Sequence, residues 1–308
     1  MPLHNDSHWP RASAWLRGEI PGGALGRIAV IGAPVSRGSI TPGRCDLAPQ
    51  AIRAALDRYS PYDVEHDADL CELSAQDYGD LDVAGLMPEE AFEPVRAGVA
   101  RAWRDAEAVI VLGGDNSITL PGCRALGDRA GLITFDAHLD LRDLEGGLSN
   151  GNPIRALLRA GLSGGNIVQI GVQAFANSAT YASVAAEAGI RVVTADQVRL
   201  QGVDAVVRDA LKSLAVEAVY VDMDLDVLDR AYSPATPGSR PGGLTPWELR
   251  RAARLCGVDG RVRAIDFVEV DPEKDVADQT VLAAAACMLS FVSGVHERCS
   301  LLRDARSL

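Results

Sequence analysis

The sequence has no Cys-x-x-Cys pair. Its six cysteines (Cys45, Cys71, Cys123, Cys256, Cys287 and Cys299) are widely spaced, which argues against a disulfide framework and against a thiolate zinc site. They read as reduced, mostly buried residues of a cytoplasmic protein. Basic charge is also scarce: 30 Lys and Arg stand against 42 Asp and Glu, a net charge of −12, so neither nucleic acid nor an anionic membrane is an expected partner. The start of the chain lacks a basic segment leading into an apolar core, so MPLHNDSHWPRASAWLRGEIPGG reads as a loosely held arm over residues 1–24 rather than a secretory signal. The longest apolar stretch, VADQTVLAAAACMLSFVSGV, is broken by Asp278 and Gln279 and reads as a packed C-terminal helix, not a membrane span. No repeat, low-complexity tract or Pro/Ser-rich linker divides the chain. With 308 residues and 47% apolar composition, one domain over residues 25–308 is expected.

What the sequence does contain is a series of short, continuous, β-branched apolar runs: RIAVIGA (27–33), AVIVLGG (108–114), GLITFDA (131–137), NIVQIGV (166–172), IRVVT (190–194), AVYVDMD (218–224) and VRAIDFVEV (262–270). Runs without alternation predict strands buried on both faces, as in a parallel sheet. Helical spacing occupies the segments between, at 49–58, 88–106, 152–161, 202–214 and 245–256. Strand and helix therefore alternate, which predicts a doubly wound α/β fold. Ligands of such folds bind beyond the carboxyl ends of the strands. Asp115, Asp136, Asp224 and Glu269 all fall at or near such ends, so their side chains are expected to converge on one crevice.

Two of these ends are unusually acidic. Asp136, His138 and Asp140 alternate in DAHLD, and Asp222, Asp224, Asp226 and Asp229 occupy DMDLDVLD. In extended backbone, alternate side chains share one side, so each run can aim several groups at one point. Carboxylates crowded this closely repel one another unless a cation sits among them. An oxygen-rich set with one imidazole suits manganese better than zinc. A lone D-x-D at a strand end is more often a solvated loop or a helix cap, but two such runs after two buried strands favour the metal.

Taken together, GGDNSIT (113–119), FDAHLD (135–140), DMDLDVLD (222–229), PATPGSRPGGLT (234–245) and IDFVEVDP (265–272) resemble, in order, the motifs of the ureohydrolase family of arginases, agmatinases and formimidoylglutamases. The early GAPVSRGSITPGRCDLAPQAIR is similar to that family's first strand, Gly-rich loop and helix, so the resemblance runs from about Ile28 to the C-terminal helix. It implies a single-domain, three-layer, arginase-like fold with a mainly parallel, eight-stranded sheet, assembled as a homo-oligomer of three or six chains. It also implies two manganese ions per subunit that activate water for attack on an amidine carbon. By motif match Asn116, Asp136, His138, Asp140, Asp224 and Asp226 would be the ligands, with Asp136 and Asp224 shared between the ions. Asp140 would relay a proton to the leaving amine, and Glu269 would pair with the cationic guanidinium or formimino group.

Two positions depart from the family pattern. Asn116 stands where a ligating histidine is usual, so the adjoining ion is expected to bind weakly. Asn150, in SNGNPI, stands near the place of a catalytic histidine of arginases and agmatinases. The pair DAHLDLR and SNGNP resembles the formimidoylglutamase branch most, and the expected small-molecule substrate is N-formimino-L-glutamate, hydrolysed to glutamate and formamide in histidine breakdown. Its two carboxylates call for cations, and Arg142 and Arg240 are the candidate clamps, with Asn150 and Asn152 as hydrogen-bonding partners. A guanidino-compound hydrolase such as an agmatinase is the alternative within the family, and a catalytically impaired ligand-binding protein the alternative outside enzymes. A nucleotide-binding α/β protein finds little support, since no complete G-x-G-x-x-G opens a helix.

Overall fold

A computed structural model describes residue 6 and residues 8–306. Its centre is an eight-stranded sheet: β1 (Arg27–Ala33), β2 (Ser74–Asp80), β3 (Ala108–Gly113), β4 (Gly131–Phe135), β5 (Ile167–Val172), β6 (Arg191–Thr194), β7 (Val219–Asp224) and β8 (Val262–Val268). The spatial order is β2-β1-β3-β8-β7-β4-β5-β6, and each neighbouring pair runs parallel. The seven apolar runs are seven of these strands. All residues of β3, β4, β5 and β7 are buried, as continuous apolar character requires.

The eighth strand, β2, was invisible to that pattern. Its sequence, SAQDYGD, is polar because it lies at the sheet edge, pairs only with β1 and keeps most of its length half-exposed. Arg53 reaches over this edge to Asp77, with nitrogen–oxygen distances of 2.7 and 2.9 Å.

Helices cover both faces. Ala48–Ala55, Val203–Ser213, Pro246–Val258 and the long Gln279–Arg306 pack on one side, around Ile52, Val207, Leu249 and Met288. Pro88–Trp103, Thr119–Ala125, Pro153–Arg159 and Ala179–Ala188 pack on the other, around Val95, Cys123, Leu157 and Ala185. The C-terminal helix is long and apolar enough to cross a membrane, but 83% of its most apolar window is buried within the protein. All six cysteines are free, and only Cys71 is not fully buried.

The N-terminal segment departs from expectation. Residues 1–5 and 7 of the expected arm lie outside the described residues, but Ala12–Leu16 forms a short helix built into the fold. Trp15 is among the largest fully buried side chains, and its indole nitrogen donates to the Leu73 carbonyl at 3.0 Å. An indole of this size removes much apolar surface from water, and its N–H finds a partner, so burial outweighs the entropy of a free arm.

Trp15→Ala is expected to destabilise the protein by about 3–5 kcal/mol. Urea unfolding read by circular dichroism measures this, and an unchanged midpoint would mean that the segment is after all loosely held.

Candidate active site and metal centre

The sheet order explains why distant motifs meet. Strands β3, β8, β7 and β4 are consecutive in the sheet, about 4.8 Å apart, and because all are parallel their carboxyl ends lie on one edge. In the chain, β7 and β8 return to fill the gap between β3 and β4, which places the chain reversal of the doubly wound sheet here. Asn116 follows β3, Glu269 follows β8, Asp224 ends β7, and Asp136 follows β4.

Asp136, Asp140, Asp224, Asp226 and Glu269 are all buried, and so is Asn116. Two of the acids stand on left-handed backbone, Asp140 at φ 49° and Glu269 at φ 64°, a strained conformation for non-glycine residues that aims both side chains at the site. One ligand atom each from Asp136, His138 and Asp226 lies within 4.8 Å of the others. His138 Nδ1 is 2.9 Å from Asp226 and 3.3 Å from Asp136. The backbone holds these acids firmly: Ala137 N donates to Asp226 Oδ1 at 3.1 Å, His138 N to Asp136 Oδ1 at 2.6 Å, and Asp226 N to Asp224 Oδ1 at 2.8 Å. Gly238, from the PGSR loop, passes so close that a Cβ there would stand 2.1 Å from Asp226 Oδ2.

The electrostatics are those of a cage for a cation. Burial, then the charge of Asp226, raises Asp136 to about 6. Burial and the neighbouring acids push Asp140 and Asp224 well above the ordinary carboxylate range. Burial, followed by the charge of Asp115, raises Glu269 to about 8. Burial works against a charged His138, yet the field of Asp226 and the hydrogen bonds to Asp136 and Asp226 carry it up to about 11. Asp226 stays below its usual value despite burial because His138 faces it. Arg240 Nη1 lies 2.7 Å from His138 Nε2, a donor position that only an unprotonated Nε2 accepts. The acids and the guanidinium thus compete over the imidazole proton. A divalent ion resolves this, because it neutralises the acids without a proton, and the carboxylate-rich donor set with one imidazole fits an ion such as manganese.

The other expected residues divide. Asn150 lines the site, accepts from Ile40 N at 3.0 Å and donates from Nδ2 to Glu269 Oε1 at 3.0 Å, so it steadies the glutamate. Asn116 N donates to the same oxygen at 2.8 Å. The Asn116 amide nitrogen donates to Asp140 Oδ2 at 2.7 Å, while its oxygen accepts from Thr119. Arg142 is exposed, lines the cavity and is not ion-paired among the described residues, and Arg240 is half-buried beside His138.

Asn152 departs from its expected role as a substrate contact. It is buried, accepts from Ser149 N at 2.8 Å and donates to the Asp143 and Gly147 carbonyls, both at 3.0 Å, so it ties the loop together from inside. Asp222 and Asp229 do not join the acid cage: Asp222 lies opposite Asp266 in the β7–β8 register, and Asp229 caps a turn by accepting from Ala231 and Gly242. Asp115 likewise holds the early Gly-rich loop, accepting from Gly38 N at 2.8 Å. Thr119 and Asp266, which lie beneath Asn116, were not singled out in the sequence. Nothing in a threonine after GGDNSI marks a buried contact to a strand that comes 147 residues later.

The acids open into a cavity of about 160 Å³ whose wall includes Thr41, Arg142, Asn150, Arg240 and Glu269. A larger groove of about 470 Å³ lies between Tyr59–Glu65 and the C-terminal helix, and contains none of these residues.

The arginase family model matches residues 26–294. A formimidoylglutamase of Halalkalibacterium halodurans is 38% identical, with 86% of each chain covered. The crystal structure of the formimidoylglutamase of Bacillus subtilis superposes with a TM-score of 0.87 at 30% identity, covering 96% of this chain and 94% of the other. A manganese-containing crystal structure of an asparagine-to-histidine variant of Trypanosoma cruzi formiminoglutamase gives a TM-score of 0.86 at 25% identity, covering 95% and 100%.

Raised carboxyl values carry a sign. A buried acid whose folded pKa exceeds its unfolded value binds more protons when folded, so stability falls as pH rises between the two values. For Glu269 that window runs from about 4.5 to about 8. The chelator-treated protein is therefore expected to melt at progressively lower temperature from pH 5 to pH 8, and manganese to restore more stability at pH 8 than at pH 5. Asp140→Asn should raise the melting temperature of the chelated protein at pH 8 while shrinking the gain from manganese; scanning calorimetry reads both, and a lower melting temperature for the chelated variant would contradict the cage.

Proposed function

Given that the chain belongs to the arginase family, and is thus a hydrolase of amidino groups, we propose that it hydrolyses N-formimino-L-glutamate to L-glutamate and formamide. The observation that carries this reading is the polarity of one small cavity: a buried glutamate and an acid cage form its floor, and Arg142 and Arg240 stand at its wall. A substrate with a cationic amidinium at one end and carboxylates at the other fits that polarity. Agmatine, a cation at both ends, would meet the arginines unfavourably.

Asp136, His138, Asp140, Asp224 and Asp226, with Asn116, would hold two manganese ions. When bound, these ions supply an activated water and Lewis-acid polarisation at neutral pH. The remaining work falls to the chain itself. Glu269, fixed by Asn116 N and Asn150 Nδ2, pairs with the amidinium and orients its carbon. Asp140, which lines the cavity and is held by Asn116 Nδ2, passes the proton to the leaving amine. Arg142 receives a substrate carboxylate. Arg240 has a second duty: a ring that offers Nδ1 as ligand keeps its proton on Nε2, so the guanidinium must leave His138 for another acceptor, and a substrate carboxylate in the same cavity is one. We place the enzyme in the cytoplasm, consistent with its six unpaired cysteines, as an oligomer of three or six chains.

A substrate panel of formiminoglutamate, agmatine, arginine and guanidinobutyrate, run with manganese, tests the assignment. Glutamate release from the first is expected, whereas urea release from a guanidino compound alone would overturn it. Arg142→Ala is expected to raise KM for formiminoglutamate by about ten-fold or more, as loss of a charge-assisted contact of about 1.5–3 kcal/mol implies. An unchanged KM in steady-state assays would remove Arg142 from the substrate site.

A further inference from the structure

Thr119, at the start of the helix Thr119–Ala125, is fully buried beneath the acid cage. Its hydroxyl oxygen stands 2.7 Å from Asn116 Oδ1, 3.1 Å from Asp266 Oδ2 and 3.3 Å from Asp222 Oδ1. A hydroxyl has one proton, so it can serve only one of these three acceptors. On its other side the Asn116 head places Nδ2 2.7 Å from Asp140 Oδ2. The two ends of an amide are nearly equal in size, and which end points where is decided by the partners.

Turning the head over changes the accounting of donors. Nδ2 then donates into the lone pairs of Thr119 Oγ1, and the hydroxyl is free to donate its hydrogen bond to Asp266 Oδ2. That carboxylate is already anchored, since its Oδ2 accepts from Tyr220 at 2.8 Å and its Oδ1 from Met223 N at 3.3 Å. Donors in the chain Asn116 to Thr119 to Asp266 meet acceptors in this orientation as they do in the observed one, so a cation facing the amide decides between the two. The same turn brings Asn116 Oδ1 against Asp140 Oδ2, two acceptors that tolerate such proximity when they face a shared cation.

We propose that Thr119, anchored by Asp266 and Tyr220, is a positioning residue that fixes the carbonyl oxygen of Asn116 toward the divalent ion. The inference rests on the reading of the acid cage as a metal centre, and deepens it. A neutral amide is a weak ligand whose two orientations compete, one offering oxygen and the other offering N–H groups that repel a cation. The buried relay selects the first when an ion is present, which lets asparagine serve where an imidazole would otherwise stand. Asp222, opposite Asp266 in the strand register and equally buried, stands on the far side of Thr119.

The test is a manganese titration of chelated protein, with bound metal per chain counted by elemental analysis and free manganese by electron paramagnetic resonance. Wild type and Thr119→Ser are expected to bind two ions. Thr119→Val, which removes the hydroxyl, should weaken the more weakly held ion by about 10–100-fold, the usual consequence of removing a group that orients a ligand. Asn116→Asp supplies the decisive background, because a carboxylate has no amide end to orient: there, Thr119→Val should leave that ion's affinity within about two-fold, a coupling that only a shared function produces. Equal weakening by Thr119→Val in both backgrounds would overturn the proposal by making Thr119 a general prop of the site. One ion in wild type with two in Asn116→Asp would overturn it by showing that the amide is no ligand. No ion in any variant would instead overturn the metal reading on which it rests.

Discussion

Five carboxylates buried at the carboxyl ends of three adjacent strands and the turns that follow them form the arrangement to which the rest of the molecule is fitted. Placed in a low-dielectric interior, such groups repel and shed their charge unless a cation joins them. The fold concentrates them anyway, through backbone donors from Ala137, His138 and Asp226 and through left-handed backbone at Asp140 and Glu269. Strain and repulsion of this kind persist only where the surrounding structure determines the geometry, and here the surroundings are four fully buried strands packed between two helical layers.

Around that cage the side chains separate into those that hold and those that face the cavity. Asn150 and the Asn116 amide hydrogen fix Glu269, Asn152 and Asp229 tie loops from within, and Asp115 pins the early Gly-rich loop. Arg142 and Arg240 face the cavity and give its wall the charge opposite to that of its floor. In the proposed function, this wall would favour a substrate that carries carboxylates over a dication such as agmatine.

Much of the fold was legible in the sequence. Continuous apolar runs marked seven of the eight strands and their parallel sense, because a strand with helices on both faces has no solvent side to alternate with. The edge strand β2 escaped because its partner lies on one side only and its residues meet water. The short helix around Trp15 escaped because five residues give too little period to recognise, and its stability comes from one indole placed against Leu73.

The sequence by itself placed Asp115, Asp136, Asp224 and Glu269 at or near strand ends, and period-two backbone put His138 beside Asp136 and Asp226 beside Asp224 on one side of each run. Only the tertiary structure decided which of them meet. It placed β8 beside β7, so that Asp222 turned to Asp266 and not to the cage, and it folded the loop of Asn152 inward while leaving Asn150 at the site. The physical reason is that local periodicity fixes the side on which a residue projects, whereas its partner can come from a segment more than a hundred residues away, as Glu269 does for Asn150 and Asp222 and Asp266 do for Thr119.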